Sequence, residues 1–228
     1  MTGDELLDHA DADPELVTRS LADIAVSNRW FGGWWAVRRG LERVLQGMPA
    51  GSTLTLLDIG TGLADLPRAA ARWAGVRGVR LIPLGIERHR TAASLAKASG
   101  VATALATAEA LPVRAASVDI VIVSQLVHHL APEAAVALMQ AADVVARRGV
   151  IVADLRRSSL ALAGFWVGSR LLRFDPTTCA DGLTSVRRGF TVAELRGLLS
   201  RAGVRARVER TPGFRLVASW RTATRGPT

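Results

Sequence analysis

The stretch LLDIGTGLADLP, Leu56 to Pro67, constrains the fold more than any other part of the chain. An apolar run ends in Asp58, and Gly60 and Gly62 follow at once. A run this short and apolar reads as a buried strand, and glycines directly behind it make a tight turn. Turns of this kind, between a strand and a helix, are where α/β folds receive ligands. The motif therefore predicts a mostly parallel sheet and raises the question of which ligand it holds.

The rest of the chain supports the sheet. Strands are expected at Leu54–Ile59, Val79–Ile86, Val101–Leu105, Val118–Val123 and Val150–Ala153. Between them fall helices at Leu66–Trp73, Thr91–Ala98 and Pro132 to about Ala146. Such alternation gives a doubly wound α/β sheet covered on both faces. Thr191–Ala202 is a further helix, with Thr191 and Glu194 at capping-box spacing. Val204–Glu209 and Phe214–Trp220 read as strands joined by a Pro-Gly turn, an antiparallel hairpin at one sheet edge. Upstream, Pro14–Leu45 is helical with a break at Gly32-Gly33, and Met48–Ser52 is a linker. The expected organisation is a helical cap over residues 1–50 and one α/β domain over 51–228, with an apolar insert at about 156–190. Within the insert, Ser158–Leu172 is a helix and a polar loop runs on through Asp181-Gly182. Asp58, Glu87, Ser124 and Asp154 all stand at carboxyl ends of expected strands, which places them on one rim.

Composition narrows the classes. A chain of 228 residues, 49% of them apolar, can bury the core of one large domain. Its one cysteine, Cys179, excludes an internal disulfide and a Cys-rich zinc site, and no metal site is expected. The acidic start, MTGDELLDHADADPEL, lacks the apolar core of a secretion signal, and a cytoplasmic location is expected. Leu160–Leu172, the most apolar segment, is shorter than the ~20 residues that span a bilayer. A net charge of +9 would suit nucleic acid or an acidic membrane surface. However, Lys97 is the only lysine, the arginines are scattered, and no basic run exceeds two residues or interleaves with aromatics. A solvated basic surface is the expectation rather than a nucleic-acid site.

The glycine motif discriminates between cofactors. A dinucleotide fingerprint has a third glycine where this chain has Asp65, and a carboxylate there would repel a pyrophosphate. The pattern present is D-x-G-x-G-x-A, Asp58 to Ala64. It suits a ligand with a cationic amino-acid part, which Asp58 would face while Gly60 and Gly62 let the backbone come close. Glu87, at the end of LGIER, is placed to accept both hydroxyls of a ribose.

On these residues the chain resembles the class I S-adenosylmethionine-dependent methyltransferases. The motifs are LLDIGTGLAD, LGIERH, ATAEALPVRAASVDIVIVSQLVHHL and VARRGVIVADLRR, within about Leu54 to Trp220. Their order and spacing look like the type 11 branch, which includes the ubiquinone- and menaquinone-pathway methyltransferases. The resemblance implies a single Rossmann-like sheet of strand order 3-2-1-4-5-7-6. It also implies S-adenosyl-L-methionine held by Asp58, Gly60, Thr61, Gly62, Asp65, Glu87, Arg88, Thr107, Ala108, Glu109, Ser124 and Gln125. Thr107 stands where the branch commonly has an aspartate for the adenine amine, and Ala64 stands at the third glycine. Ser124-Gln125-Leu126-Val127 replaces the Asn/Asp-Pro-Pro-aromatic run of base amino-group methylation. Cys179 lacks the context of a cytosine C5 nucleophile.

Methyl transfer to a hydroxyl needs alignment and a base that removes a proton. His128 and His129 directly follow the fourth strand, and either is a candidate base or a structural residue. Asp154 and Arg156 end the fifth strand, as candidates to orient a hydroxyl and to pair with an acidic group, or as a local ion pair. Two segments could cover a substrate. One is NRWFGGWW, Asn28 to Trp35. The other is Ser158 to Phe174, readable as a lid, a membrane-surface helix or core. The stretch Asp181 to Thr191 would return the chain to the core and bring Arg187 or Arg188 near the rim. Together these features resemble small-molecule methyltransferases of bacterial secondary metabolism. The expected acceptor is a small apolar phenolic, polyketide or quinone-type compound, methylated on oxygen. Peripheral membrane contact stays open. The alternatives are C-methylation of a hydroxylated ring, an RNA methyltransferase, a nicotinamide-dependent oxidoreductase and a non-catalytic binding protein.

Overall fold

The computed structural model describes residues 5–9 and 11–222, with Asp8 as backbone only. The outermost parts of the two expected spans, 1–4 and 223–228, and Ala10 of the acidic start lie outside the described residues.

Helices α1 (Pro14–Trp30) and α2 (Gly33–Val44) precede the sheet, broken at Phe31-Gly32. The alternating part follows as β1 (Thr53–Ile59), α3 (Asp65–Gly75), β2 (Arg80–Glu87), α4 (Arg90–Ala98), β3 (Ala102–Leu105), β4 (Val118–Ser124), α5 (Pro132–Val145) and β5 (Ala146–Leu155). Then come α6 (Ser159–Leu171), α7 (Pro176–Arg188), α8 (Val192–Arg201), β6 (Arg207–Thr211) and β7 (Arg215–Arg221). The seven strands form one sheet in the order β3-β2-β1-β4-β5-β7-β6, as expected. Strands β1 to β5 pair in parallel, while β7 runs antiparallel to both β5 and β6.

The continuous apolar strands are explained by burial on both faces. Alternate side chains of one strand enter different cores. Leu57, Val121, Val123, Val150 and Val152 pack with α5 and α8 through Leu138, Met139, Leu195 and Leu199. Leu56, Ile120, Ile122, Ile151 and Ala153 pack with α2 and α3 through Val37, Leu41, Leu66 and Ala70. With both faces used, the charged side chains of the central strands are left toward the strand ends.

The expected polar loop through Asp181-Gly182 is the helix α7 instead. Asp175 caps it, its carboxylate accepting the Thr177 N–H at 2.9 Å, and Pro176 sits at the first helical position. The many polar residues of the segment mislead because the helix is only partly covered and buries just Thr178 and Val186. Its Gly182 is packed against α6, where a Cβ would come within 2.1 Å of the Phe165 ring. The hairpin also starts at Arg207 rather than Val204, because the Val204 N–H first closes α8 by bonding the Leu199 carbonyl at 3.1 Å.

Helix α2 crosses the sheet closely at Gly40, where a Cβ would meet Ile151 Cγ2 at 2.4 Å. Gly40→Ala favours helix propensity but overpacks this crossing. The expected net effect is a loss of about 1–3 kcal/mol, read as a lower denaturant midpoint with unchanged slope.

Candidate active site

A cavity of about 410 Å³ opens over the carboxyl ends of β1, β2, β4 and β5, floored by the Asp58–Gly62 turn and roofed by α6 and α7. The turn takes its shape from its glycines. Gly60 sits at φ 76° and Gly62 at φ 53°, in the left-handed region that glycine enters without strain. Ala64, at φ 57°, opens α3 in the same region although it carries a Cβ. Glu87 holds the turn, accepting the Gly62 N–H at 2.9 Å on one oxygen and the His89 N–H at 3.0 Å on the other.

Asp58 is 2% exposed. Burial pushes its carboxyl up to about 8, with the nearby Asp65 and Glu87 adding to the rise and the Thr61 hydroxyl opposing it. Thr61 donates to Oδ2 at 3.1 Å, while Oδ1 is buried without a protein partner. Ser124 Oγ, at the end of β4, is likewise buried and unpartnered. Orphaned buried polar atoms are uncommon in native proteins and mark where a ligand would bind.

A chain of side-chain hydrogen bonds ties α1 to this floor. Arg215 donates to Gln125 Oε1 at 2.6 Å and to the Phe31 carbonyl at 2.9 Å. Gln125 donates to Asn28 Oδ1 at 2.5 Å, and Asn28 donates to Asp65 Oδ2 at 3.0 Å. Burial raises the Asp65 carboxyl, which the Asn28 bond opposes. Burial also lowers Arg215 to about 10, with the charge of Asp154 resisting the shift. Gln125 adopts φ 52°, an uncommon conformation for a side-chain-bearing residue, and its N–H bonds the Ala153 carbonyl at 2.8 Å.

His128 and Asp154 come together. His128 Nδ1 lies 2.6 Å from Asp154 Oδ1, and Nε2 is buried without a protein partner. Asp154 is fully buried and also accepts the backbone N–H groups of Leu155 at 2.7 Å and His128 at 3.3 Å. Burial alone would raise the Asp154 carboxyl, but the facing His128 brings it below the usual carboxylate range. Asp154 thus sits behind His128 and does not line the cavity, whereas His128 does. His129 stacks on His128 with ring centres 4.2 Å apart, and its Nε2 lies 3.7 Å from Glu5 Oε2. Glu5, His128 and His129 offer ligand atoms within 4.8 Å of one another. Ser185 donates to both Glu5 oxygens and Arg188 to one at 3.0 Å, so a guanidinium already stands where a metal cation would balance Glu5.

The other expected residues divide. Arg156 lines the cavity with its guanidinium 5.0 Å over the Phe214 ring and its Nε buried without a partner. Thr61, Gly62, Asp65, Arg88, Ala108, Glu109, Ser124 and Gln125 line it too. Arg88 also donates to the Leu7 carbonyl at 2.8 Å and fixes the N-terminal segment there. Thr107 is exposed and is not part of the lining, while its neighbours Ala106 and Ala108 are. Arg187 is exposed. Sequence reasoning missed Glu5 and Arg215 as site residues, and took Asn28 only as the start of a segment that could cover the substrate. A signal existed for Asn28: Ser20, Ser27 and Asn28 share one helical stripe with Val17, Leu21 and Ile24, so polar groups recur on an inward face. Arg215 opens an apolar strand and gave none.

Residues 57–153 match the family described as a methyltransferase domain. No curated protein matches the chain in sequence. Among solved structures, a SAM-dependent methyltransferase from Aquifex aeolicus is 15% identical, with a TM-score of 0.61 over 92% of this chain and 99% of that one. Magnesium protoporphyrin IX methyltransferase from Synechocystis PCC 6803, crystallised with SAH, is 16% identical, with a TM-score of 0.56 over 84% of each chain. The pyocyanin biosynthetic protein PhzM is 16% identical, with a TM-score of 0.53 over 82% of this chain and 55% of that one. At these identities the likeness is one of fold. The matched segment carries the glycine turn, Glu87, Ser124 and the His128 loop.

Proposed function

We propose that the chain transfers a methyl group from S-adenosylmethionine to the hydroxyl of a small apolar, aromatic acceptor, and that His128 is the base. The observation that carries this reading is the Asp154–His128 pair, with Nε2 unpartnered at the wall of a cavity that starts at the Asp58 turn.

The residues fit the cofactor. Asp58 Oδ1 is an orphan acceptor for its ammonium group, the backbone at Gly60 and Gly62 leaves room beside it, and Glu87 stands at the end of β2 for the ribose. When bound, the cofactor supplies an electrophilic methyl group on a sulfonium. His128 takes the proton of the acceptor hydroxyl at Nε2 as the oxygen gains the methyl group. Asp154 holds Nδ1, so the tautomer that leaves Nε2 free to accept is the one favoured. Asp154 and His129 are positioning residues in this scheme, and Arg156 faces the acceptor. Leu63, Phe31, Phe165, Phe174 and Phe214 supply apolar walls, which favours an aromatic compound over a nucleic acid. Helices α6 and α7 are the lid, and the N-terminal helical segment closes the opposite side. The acceptor class, methylation on oxygen and a cytoplasmic setting belong to this proposal.

The first experiment is calorimetric titration with S-adenosylhomocysteine, with NADH run in parallel. Micromolar binding of the nucleoside alone is expected, and heat from NADH alone would overturn the cofactor reading. A pH series adds a sharper check. Asp58 is protonated below about 8 in the free protein and must ionise to face a cation. Affinity should therefore rise with pH, with proton release, and level off near about 8, a dependence that Asp58→Asn abolishes together with most of the affinity. The same raised value means that Asp58 subtracts stability from the free protein as pH climbs from the ordinary carboxylate range to about 8.

His128→Ala should lower kcat about 10²–10⁴-fold and leave S-adenosylhomocysteine affinity unchanged. Parallel loss of both would assign His128 a structural role.

A further inference from the structure

Helix α6 is apolar on every side, yet only part of it is covered. Ala161, Phe165 and Ser169 turn inward, and Gly168 is packed against the Phe31 ring, where a Cβ would come within 2.5 Å. Leu160, Ala163, Gly164, Val167 and Leu171 form one outward stripe at helical spacing. Leu160 is 70% exposed, Val167 46% and Leu171 78%, with Trp166 at 49% and Leu172 at 40% beside them. A helix apolar all round is normally buried, so this face lacks its cover.

We infer that this face docks on an anionic lipid bilayer. Between Ser158 and Phe174 the only charged residues are Arg170 and Arg173, both positive. Arg170 lies 4.1 Å over the Trp166 ring, so an aromatic and a cation share the edge of the stripe. Trp30, 65% exposed, stands at the cavity mouth with Arg29 beside its ring, and Phe31 links it to α6 through Phe165 at 5.8 Å. Leucine and valine flanked by tryptophan and arginine, without acid, is the composition that settles at a lipid headgroup boundary. A second copy on the same face would bring two more arginines to the seam and no acid from Ser158 to Phe174 to offset them, which disfavours self-association. Gly164 belongs both to the stripe and to the cavity lining, so the docked face adjoins the opening. The inference does not rest on the methyl-transfer reading, since docking is measured without cofactor.

The test is co-sedimentation of the full chain with phosphatidylcholine vesicles, with and without phosphatidylglycerol. Binding is expected to the anionic vesicles only. The double variant Val167→Glu, Leu171→Glu should weaken it about tenfold or more. Both side chains are largely exposed, so its melting temperature should stay near that of the parent. Three results would overturn the inference: no binding to anionic vesicles, equal binding by parent and double variant, or a parent dimer in sedimentation velocity that the double variant dissolves.

Discussion

A parallel sheet buried on both faces leaves its central strands little room for charged side chains except toward their ends, and much of this molecule follows from that constraint. Each central strand gives one set of alternate side chains to the α5–α8 core and the other to the α2–α3 core. Asp58, Glu87, Ser124 and Asp154 are therefore gathered at the carboxyl rim, where the strands stop and the backbone turns. Asp58 shows the tension in this arrangement. It belongs to the sheet by position, is as buried as its apolar neighbours, and so carries a carboxyl that only a cationic partner would make comfortable in its charged form.

The rim is held in register by polar contacts between elements far apart in the chain. Arg215 on β7, Gln125 after β4, Asn28 on α1 and Asp65 at the start of α3 form one hydrogen-bonded line. A line of this kind fixes the first helix relative to the glycine turn with direction as well as distance, which apolar packing alone does not do. The Phe31, Phe165 and Phe174 rings complete the work on the other side of the cavity by joining α1 to the insert.

Much of this was legible in the sequence. Local apolar runs and their glycine boundaries gave the strands, their order came through the family resemblance, and the rim residues followed from where the runs ended. The pairing of His128 with Asp154 was not legible, although both residues were named. Their contact spans 26 positions and depends on two neighbouring strands ending level with each other. Helix α7 was misread because propensity scores its Asp, Gly, Thr and Ser as loop formers. The cap at Asp175 and the contact between Gly182 and Phe165 override that preference. Arg215 was hidden for a third reason: its value lies in tertiary partners that no local pattern announces.

The burial of Arg215 near Asp154 bears on how charge is distributed during the proposed reaction. Both groups are almost completely out of water, and one is an anion while the other is a cation, so their charges offset each other, with Asp154 behind His128 and Arg215 at the cavity wall. Methyl transfer removes a positive charge at the sulfonium, and proton uptake creates one on the imidazole. The charge moves within a single cavity and its total is conserved. The surroundings then need no large reorganisation of water to follow the reaction, and a low-dielectric enclosure helps such a transfer instead of penalising it.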